Sequence, residues 1–140
     1  MSDIEIGAFP FVIRRGKPLL MIITNRSGKA WILPKGQPED GLSNAQVALL
    51  EASEEAGVEG KLVAPLRHKD FKRRGGGFLR IYPLAIRKVL RKWPEQSFRK
   101  RELVSVKQAL DLVTHKEHVE AINYFTSPEK LKQLARSAKS

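Results

Sequence analysis

Three glutamates, Glu51, Glu54 and Glu55, stand at positions i, i+3 and i+4 of the chain. On an α-helix these positions share one face, so the three carboxylates would lie side by side. Like charges at this spacing destabilise an isolated helix by roughly 0.2–0.5 kcal/mol per pair, so the cluster needs a reason beyond helix formation. Carboxylate oxygens are ligands that Mg²⁺ and Mn²⁺ prefer. The spacing predicts a Mg²⁺ or Mn²⁺ site, with a solvated acidic helix face as the alternative.

Local signals predict that a helix running from Ser43 to Gly57 carries the three glutamates. The Ser43 hydroxyl can accept from the first free backbone amides, and Gln46 three residues later completes a capping-box pattern. Gly57 fits a left-handed C-cap. The neighbouring face is built mostly from small alanines, which let a helix pack close to a sheet: Ala45, Ala48, Leu49, Ala52 and Ala56.

The stretch from Gly36 to Val58 resembles the Nudix box. That pattern is Gly, five residues, Glu, seven residues, Arg-Glu, an aliphatic, any residue, Glu-Glu, any residue, Gly and an aliphatic. Two positions depart from it, because Leu42 replaces the first Glu and Leu50 replaces the Arg. In the family that Arg helps to hold a metal-binding Glu, so we expect its loss to affect rate and metal affinity more than fold. The matching positions are Gly36, Glu51, Ala52, Glu54, Glu55, Gly57 and Val58.

Two flanking stretches are similar to the diphosphoinositol polyphosphate phosphohydrolase branch of the Nudix family. Residues 89–104 carry a Trp-containing loop before an Arg-Lys-Arg-Glu run, and residues 36–42 follow the Gly-x-Pro-x-x-Gly-Leu loop of bacterial members. The resemblance extends from about Phe9 to Phe125. It implies an α/β fold in which a mixed β-sheet is sandwiched between helices (α/β/α), and it implies a metal-dependent hydrolase of phosphoanhydride bonds.

Each box residue then has an expected role. Cleavage of a pyrophosphate needs water to attack phosphorus while a divalent metal neutralises charge on the phosphoryl oxygens. We assign Glu51 and Glu55 as principal ligands and Glu54 as a further ligand or water-positioning group. The resemblance adds the Gly36 carbonyl as a backbone ligand. Metal-free carboxylates this close repel each other, which should raise a pKa and make metal binding and activity favour alkaline pH.

Length and composition set independent bounds. With 140 residues and 41% hydrophobic content, the chain suits one domain, residues 1–140, with a basic C-terminal tail at 128–140. No apolar run approaches the roughly 18 residues of a membrane-spanning helix, and the N-terminus lacks a signal pattern, which predicts a cytoplasmic protein with no membrane partner. The absence of Cys excludes disulfides and thiolate chemistry. His115 and His118 are interpreted as surface or capping residues.

The net charge of +11 predicts a polyanionic partner, because the basic residues are clustered. A polyphosphorylated small molecule fits this charge. Nucleic acid is an alternative that is not favoured, because only 7% of residues are aromatic and they are not interleaved with the basic runs. The charge leaves the oligomeric state open. The candidate phosphate contacts are Lys35, Arg73, Arg74, Arg99 and Arg101.

Apolar runs bounded by turn residues predict mixed strands followed by helices. Residues 7–14 and 18–24 should form a hairpin. Glycines 75–77 should form a hairpin tip, with a phosphate-binding loop as the alternative. Further strands are predicted at residues 31–33, 61–65, 78–87 and 104–106, and helices at 106–113 and 115–125.

Three functions stay open at this point. The first is a Nudix hydrolase acting on a diphosphoinositol polyphosphate or a dinucleoside polyphosphate. The second is a nucleotide or RNA-cap pyrophosphohydrolase, which needs a base-stacking slot. The third is a Nudix-fold binding module without catalysis, motivated by Leu42 and Leu50. The aromatic residues that could wall a slot are Phe9, Phe11, Phe78 and Tyr82, and the acids that could assist outside the box are Asp70, Glu102, Glu117 and Glu120.

Overall fold

A long parallel pairing places strand β1 at the centre of a mixed sheet in the computed structural model, which describes residues 3–63 and 67–139. Strand β1 (Ile4–Arg14) runs parallel to β7 (Phe78–Val89) and antiparallel to β2 (Lys17–Thr24). The predicted hairpin of residues 7–14 and 18–24 is confirmed, with β1 beginning three residues earlier. Its turn contains Gly16, whose positive φ of 76° suits glycine.

Shorter strands extend this central trio. On one side β2 pairs with β3 (Trp31–Ile32) and with β8 (Arg101–Ser105). On the other side β7 pairs with β5 (Val58–Leu62) and with β6 (Lys69–Lys72). The two-residue strand β4 (Lys35–Gly36) pairs with β1 and so brings the start of the box against the centre of the sheet.

The side chains of the central strands alternate between two apolar layers, because successive residues of a strand point to opposite faces. Ile6 and Ala8 pack on one face with helix α1 (Asn44–Ala56). Phe9 and Phe11 pack on the other face. There they meet helices α2 (Val106–Leu112), α3 (Lys116–Phe125) and α4 (Pro128–Ala138). The expected mixed sheet between helical layers is confirmed.

Several predicted boundaries were wrong. The strand expected at residues 61–65 is β5, which begins at Val58 and ends at Leu62; Pro65 lies outside the described residues. Strand β6 was missed because Phe71 is its one apolar residue. The final strand begins at Arg101 rather than Val104, so part of a basic run is sheet. The glycine run does form a hairpin tip, in which the Arg73 N–H donates to the Gly77 carbonyl at 2.9 Å.

The C-terminal segment expected as a basic tail contains helix α4. Ser127 occupies its N-cap position and Pro128 its first turn, where proline's missing N–H costs nothing. Leu134 of this helix is completely buried in the core below β1 and α3. Residues 128–138 therefore contribute to packing. Within the described ranges, no helix is long and apolar enough to cross a membrane.

Candidate active site

Helix α1 is fixed at both ends as its sequence predicts. The Ser43 side chain accepts from the Gln46 N–H, and the Gln46 side chain accepts from the Ser43 N–H, which completes the capping box. Gly57 ends the helix with φ 64° and donates to the carbonyls of Ala52 and Ser53. Ala52 itself packs against the sheet. The acidic face is thereby held beside strand β4, where Glu55 accepts from the Lys35 N–H.

A cavity of about 450 Å³ opens beside this acidic face. Helix α1 contributes the three glutamates 51, 54 and 55 to the cavity wall. Strand β4 contributes Lys35 and Gly36, and the loop before β8 contributes Arg99. Six of the predicted site residues are thus brought together. The residues that line the cavity are Asn25, Arg26, Ile32, Lys35, Gly36, Gln37, Glu51, Glu54, Glu55, Glu95 and Arg99.

Two of the carboxyl groups in the cavity, those of Glu51 and Glu55, are hydrogen-bonded to each other. Burial raises the pKa of Glu51 to about 8, and the hydrogen bond to Glu55 and its charge add to that effect. Burial also raises the pKa of Glu55, and the charge of Glu95 adds to this, whereas Lys35, Arg99 and Glu51 lower it. Glu55 Oε1 accepts from the Lys35 backbone N–H at 2.9 Å, and Oε2 accepts from Arg99 at 3.2 Å. These donors favour the ionised form of Glu55, so the shared proton stays on Glu51.

The chemistry of this donor set fits a hard divalent cation. Glu51, Glu54, Glu55 and Glu95 line one cavity, and Mg²⁺ and Mn²⁺ select carboxylate and carbonyl ligands. Among the residues that the structure describes, no three acidic or histidine side chains already form a coordination cluster. Without a cation, the raised pKa of Glu51 favours a protonated carboxyl that is hydrogen-bonded to Glu55.

Glu51 makes the stability of the metal-free protein depend on pH. Its pKa is 4.5 in an unfolded chain and about 8 in the folded one, so the folded state binds the extra proton between these values. The contribution of Glu51 to the free energy of unfolding is therefore fully present below about pH 4.5, and it is lost as the pH rises towards about 8. We expect the Tm of the wild type in EDTA to drop more than that of Glu51→Gln between about pH 6 and about pH 8.5. Parallel Tm profiles would contradict the shared proton.

Gly36 lies so close to Glu51 that a side chain would displace the carboxylate. A Cβ at residue 36 would come within 2.6 Å of Glu51 Oε1 and 2.7 Å of Oε2. The carboxylate is the mobile end of its side chain, so we expect Gly36→Ala to fold normally but bind Mn²⁺ about 10–100-fold more weakly, as for lost support of a ligand. Mn²⁺ titration followed by electron paramagnetic resonance measures this. Gly75→Ala is the control, because nothing would lie within 4 Å of a Cβ at residue 75. Equal Mn²⁺ affinity in both variants would show that the close approach of Gly36 to Glu51 does not matter for metal binding.

Arg101, a predicted phosphate contact, is occupied by the end of helix α1. Its guanidinium donates to the carbonyls of Ala56, Gly57 and Leu90. It also stacks on the Trp93 ring, with the guanidinium carbon 3.7 Å from the ring centroid. The last carbonyls of a helix need such donors. Arg101 lies outside the cavity lining and holds the helix terminus.

Arg73 and Arg74, also predicted phosphate contacts, line a different cavity of about 810 Å³ at the tip of the β6–β7 hairpin. Arg73 pairs with Glu5 at 3.0 Å, and Glu5 pairs with Lys35 at 2.7 Å. The pKa of Glu5 is lowered because these two partners outweigh the effect of its burial. The structure therefore does not bring Arg73 and Arg74 into the acidic cavity, although two ion pairs through Glu5 connect Arg73 to Lys35 in its wall.

Comparison with known proteins identifies the family. A model described as "NUDIX domain" matches residues 4–136. The chain belongs to the Nudix family. Nudix hydrolase 21, chloroplastic, of Arabidopsis thaliana is 34% identical over 110 residues, which are 76% of this chain and 56% of that protein. The Nudix chain described here spans little more than half the length of that plant relative.

Two further comparisons cover more of the Nudix chain. Diphosphoinositol polyphosphate phosphohydrolase 3-beta of Homo sapiens is 29% identical over 139 residues, covering 91% of this chain and 82% of that protein. The crystal structure of a C. elegans Ap4A hydrolase binary complex has a TM-score of 0.70 at 16% identity, covering 87% of this chain and 95% of that one. The predicted family and its fold are confirmed.

Glu95 is the acidic residue of the Nudix chain's cavity that the sequence prediction missed. Its carboxylate accepts from Arg99 Nε at 2.7 Å, and its backbone N–H donates to the Glu54 carbonyl at 3.0 Å. The signal that could have identified Glu95 was its position directly after Trp93-Pro94 in the flanking stretch that resembles the family. The four acids considered earlier lie elsewhere: Asp70 pairs with Arg80, Glu102 and Glu117 line other cavities, and Glu120 is exposed.

His118 is a buried structural residue of the Nudix fold, and its interpretation as a surface or capping histidine was wrong. Its Nδ1 accepts from the Leu33 backbone N–H at 3.0 Å. Burial lowers its pKa to about 3, and the charges of Lys35 and His115 add to this. The imidazole is neutral and holds the segment that enters β4. His115 does occupy the N-cap position of α3 and is exposed.

Proposed function

We propose that this Nudix domain hydrolyses a phosphoanhydride bond in a highly phosphorylated small molecule, using a divalent cation held by Glu51, Glu54 and Glu55. The observation that carries the proposal is the hydrogen-bonded pair of half-buried Glu51 and buried Glu55 in a cavity with Lys35 and Arg99 at its walls. A buried carboxyl with a strongly raised pKa in a cleft is typical of a functional site. The two departures from the box leave this pair intact.

The chain's own residues bind and orient the reactants. Mg²⁺ or Mn²⁺ supplies neutralisation of charge on the phosphoryl oxygens. Lys35 and Arg26 provide cationic donors at the cavity wall for phosphate oxygens, although Lys35 is shared with Glu5. Glu54 would be a further ligand of the cation or would position the attacking water. The oxygen of water bonds to phosphorus, and the bridging P–O bond breaks with its electron pair going to the leaving phosphate. The proton that the attacking water loses passes to the solvent.

The substrate class depends on whether an aromatic surface can receive a base. Phe9 and Phe11 are completely buried and cannot wall a stacking slot. Phe78 and Tyr82 do not line the acidic cavity. Phe98, which was not considered from the sequence, is 42% exposed. Its ring lies 5.2 Å from the Arg26 guanidinium, and Arg26 lines the cavity. This observation supports a dinucleoside polyphosphate as a candidate substrate in addition to a diphosphoinositol polyphosphate. It also keeps nucleotide hydrolysis as a second candidate function.

A paired substrate test separates these classes. The wild type and Phe98→Ala are incubated with Mg²⁺ and either a diphosphoinositol polyphosphate or a dinucleoside polyphosphate, and products are resolved by ion chromatography. Stacking on an aromatic contributes about 1–3 kcal/mol per base, so its loss should reduce kcat/KM for a dinucleoside substrate about 5–150-fold and leave an inositol substrate unaffected. Turnover of neither substrate, with ligand binding retained, would instead support the non-catalytic binding module. The cytoplasmic location stays a prediction.

A further inference from the structure

Arg99 is the most completely engaged basic side chain of the cavity. Only 5% of it is exposed. Its Nη2 donates to Glu55 Oε2 at 3.2 Å, its Nε to Glu95 Oε1 at 2.7 Å, and its Nη1 to the Thr24 carbonyl at 2.9 Å. Each of the three nitrogens of the guanidinium therefore donates one N–H to a protein acceptor.

The backbone around Arg99 is fixed as firmly as its side chain. The Lys100 N–H donates to Thr24 Oγ1 at 2.9 Å, and the Thr24 N–H donates to the Lys100 carbonyl at 3.0 Å. The Arg99 N–H donates to the Glu95 carbonyl at 3.1 Å. These bonds anchor the residue to the end of β2, so its guanidinium spans from that strand to helix α1.

Helix α1 itself lacks the arginine that the Nudix box places before its first helical Glu. Leu50 occupies that position and cannot hold a carboxylate. We infer that Arg99, anchored on β2 at the opposite wall, holds Glu55 in place for the divalent cation in this chain, taking over the support that the box assigns to the residue at position 50. This inference rests on the proposed function, which assigns Glu55 as a ligand of the divalent cation.

The same geometry favours a positioning role over a substrate contact. A guanidinium has five N–H groups, and three of those of Arg99, one on each nitrogen, donate to protein acceptors. These three bonds fix its orientation towards Glu55, Glu95 and Thr24, so only the second N–H of each terminal nitrogen remains for a substrate. A planar fork can bridge three acceptors in fixed directions, which a lysine ammonium on a flexible stem cannot reproduce. Arg99 is accordingly a positioning residue for Glu55.

Metal affinity tests this role without any substrate. Mn²⁺ binding is followed by electron paramagnetic resonance for the wild type, Arg99→Gln and Arg99→Lys, with Arg91→Gln as a control for loss of a cation at an exposed site. Loss of a partner that supports a metal ligand reduces affinity about 10–100-fold. We expect that loss for Arg99→Gln, a partial recovery for Arg99→Lys, and no change for the control. Wild-type affinity in both Arg99 variants would overturn the inference.

A second measurement, on the metal-free protein, tests the contact between Arg99 and Glu55 directly. Chemical denaturation of the wild type, Arg99→Gln, Glu55→Gln and the double variant forms a cycle. We expect Arg99→Gln to lower the denaturation midpoint less in the Glu55→Gln background than in the wild type. Additive shifts would overturn the contact. With any hydrolysed substrate, a raised KM at unchanged kcat would assign Arg99 to substrate binding. If the wild type hydrolyses nothing, only the proposed function fails, because affinity and coupling are measured without turnover.

Discussion

Glu55→Gln is expected to lower kcat for phosphoanhydride hydrolysis about 10³-fold while leaving the fold intact. Glutamine keeps the shape of the side chain and an oxygen that can accept from the Lys35 N–H. It loses the negative charge that attracts a cation, and its amide cannot accept from Arg99 in the same orientation. Metal ions contribute several kcal/mol of transition-state stabilisation, and each 1.4 kcal/mol is about tenfold in rate. Steady-state kinetics at saturating Mg²⁺ measures the loss.

The matched control for this variant is Glu59→Gln. Glu59 lies on β5, is exposed, and does not line the acidic cavity. The substitution Glu59→Gln removes the same charge from the chain without changing the site, so we expect the kcat of the wild type. Circular dichroism of both variants checks that folding is unchanged. Full activity in Glu55→Gln would mean that the helix α1 carboxylates do not serve the reaction.

Gly57→Ala is expected to lower the free energy of unfolding by about 2–5 kcal/mol. A non-glycine residue in the left-handed region costs about 1–2 kcal/mol, and overpacking costs about 1–3 kcal/mol more. The new Cβ would clash with the Arg101 guanidinium and come within 2.8 Å of the Trp93 ring. Arg101 cannot simply move away, because it donates to three carbonyls. Urea denaturation of the metal-free protein measures the change.

Gly28→Ala separates strain from packing at this position. Gly28 has φ 75°, close to the 64° of Gly57, but nothing lies within 4 Å of its Cβ. It therefore carries the backbone cost alone, of about 1–2 kcal/mol. The difference between the two variants reports the packing of Arg101 and Trp93 at the end of α1. Equal losses in both would show that this packing tolerates a methyl group.

The parts of the site that the sequence predicted are those determined within a few turns of chain. The capping box of Ser43 and Gln46, the C-cap at Gly57 and the shared face of the glutamates depend on residues three or four apart. Helical geometry alone fixes these relations. The positions of most strands along the chain followed from the same kind of local apolar pattern. The exceptions are β4, which has only two residues, and β6, where one apolar residue gives no period.

The parts that the sequence did not predict depend on pairs far apart in the chain. Arg99 meets Glu55 across 44 residues, and His118 meets Leu33 across 85. Such pairs are set by the register of the sheet and by helices on both faces. Basic residues were the hardest to interpret, because a sequence records the charge of Arg101 but not the carbonyls that occupy it. Glu95 reached the cavity by the same route, through a loop held by a hydrogen bond to the Glu54 carbonyl.

Phosphorus NMR of the wild type and Glu55→Gln, each with a diphosphoinositol polyphosphate and a diadenosine polyphosphate, tests the central claim most directly. The spectra are recorded first in EDTA and then after addition of Mg²⁺, and they report both turnover and the bond that breaks. We expect cleavage of a phosphoanhydride bond by the wild type only after Mg²⁺ is added, and none by Glu55→Gln. Equal cleavage by both proteins, or no cleavage by either, would contradict a metal-dependent hydrolase built on these glutamates.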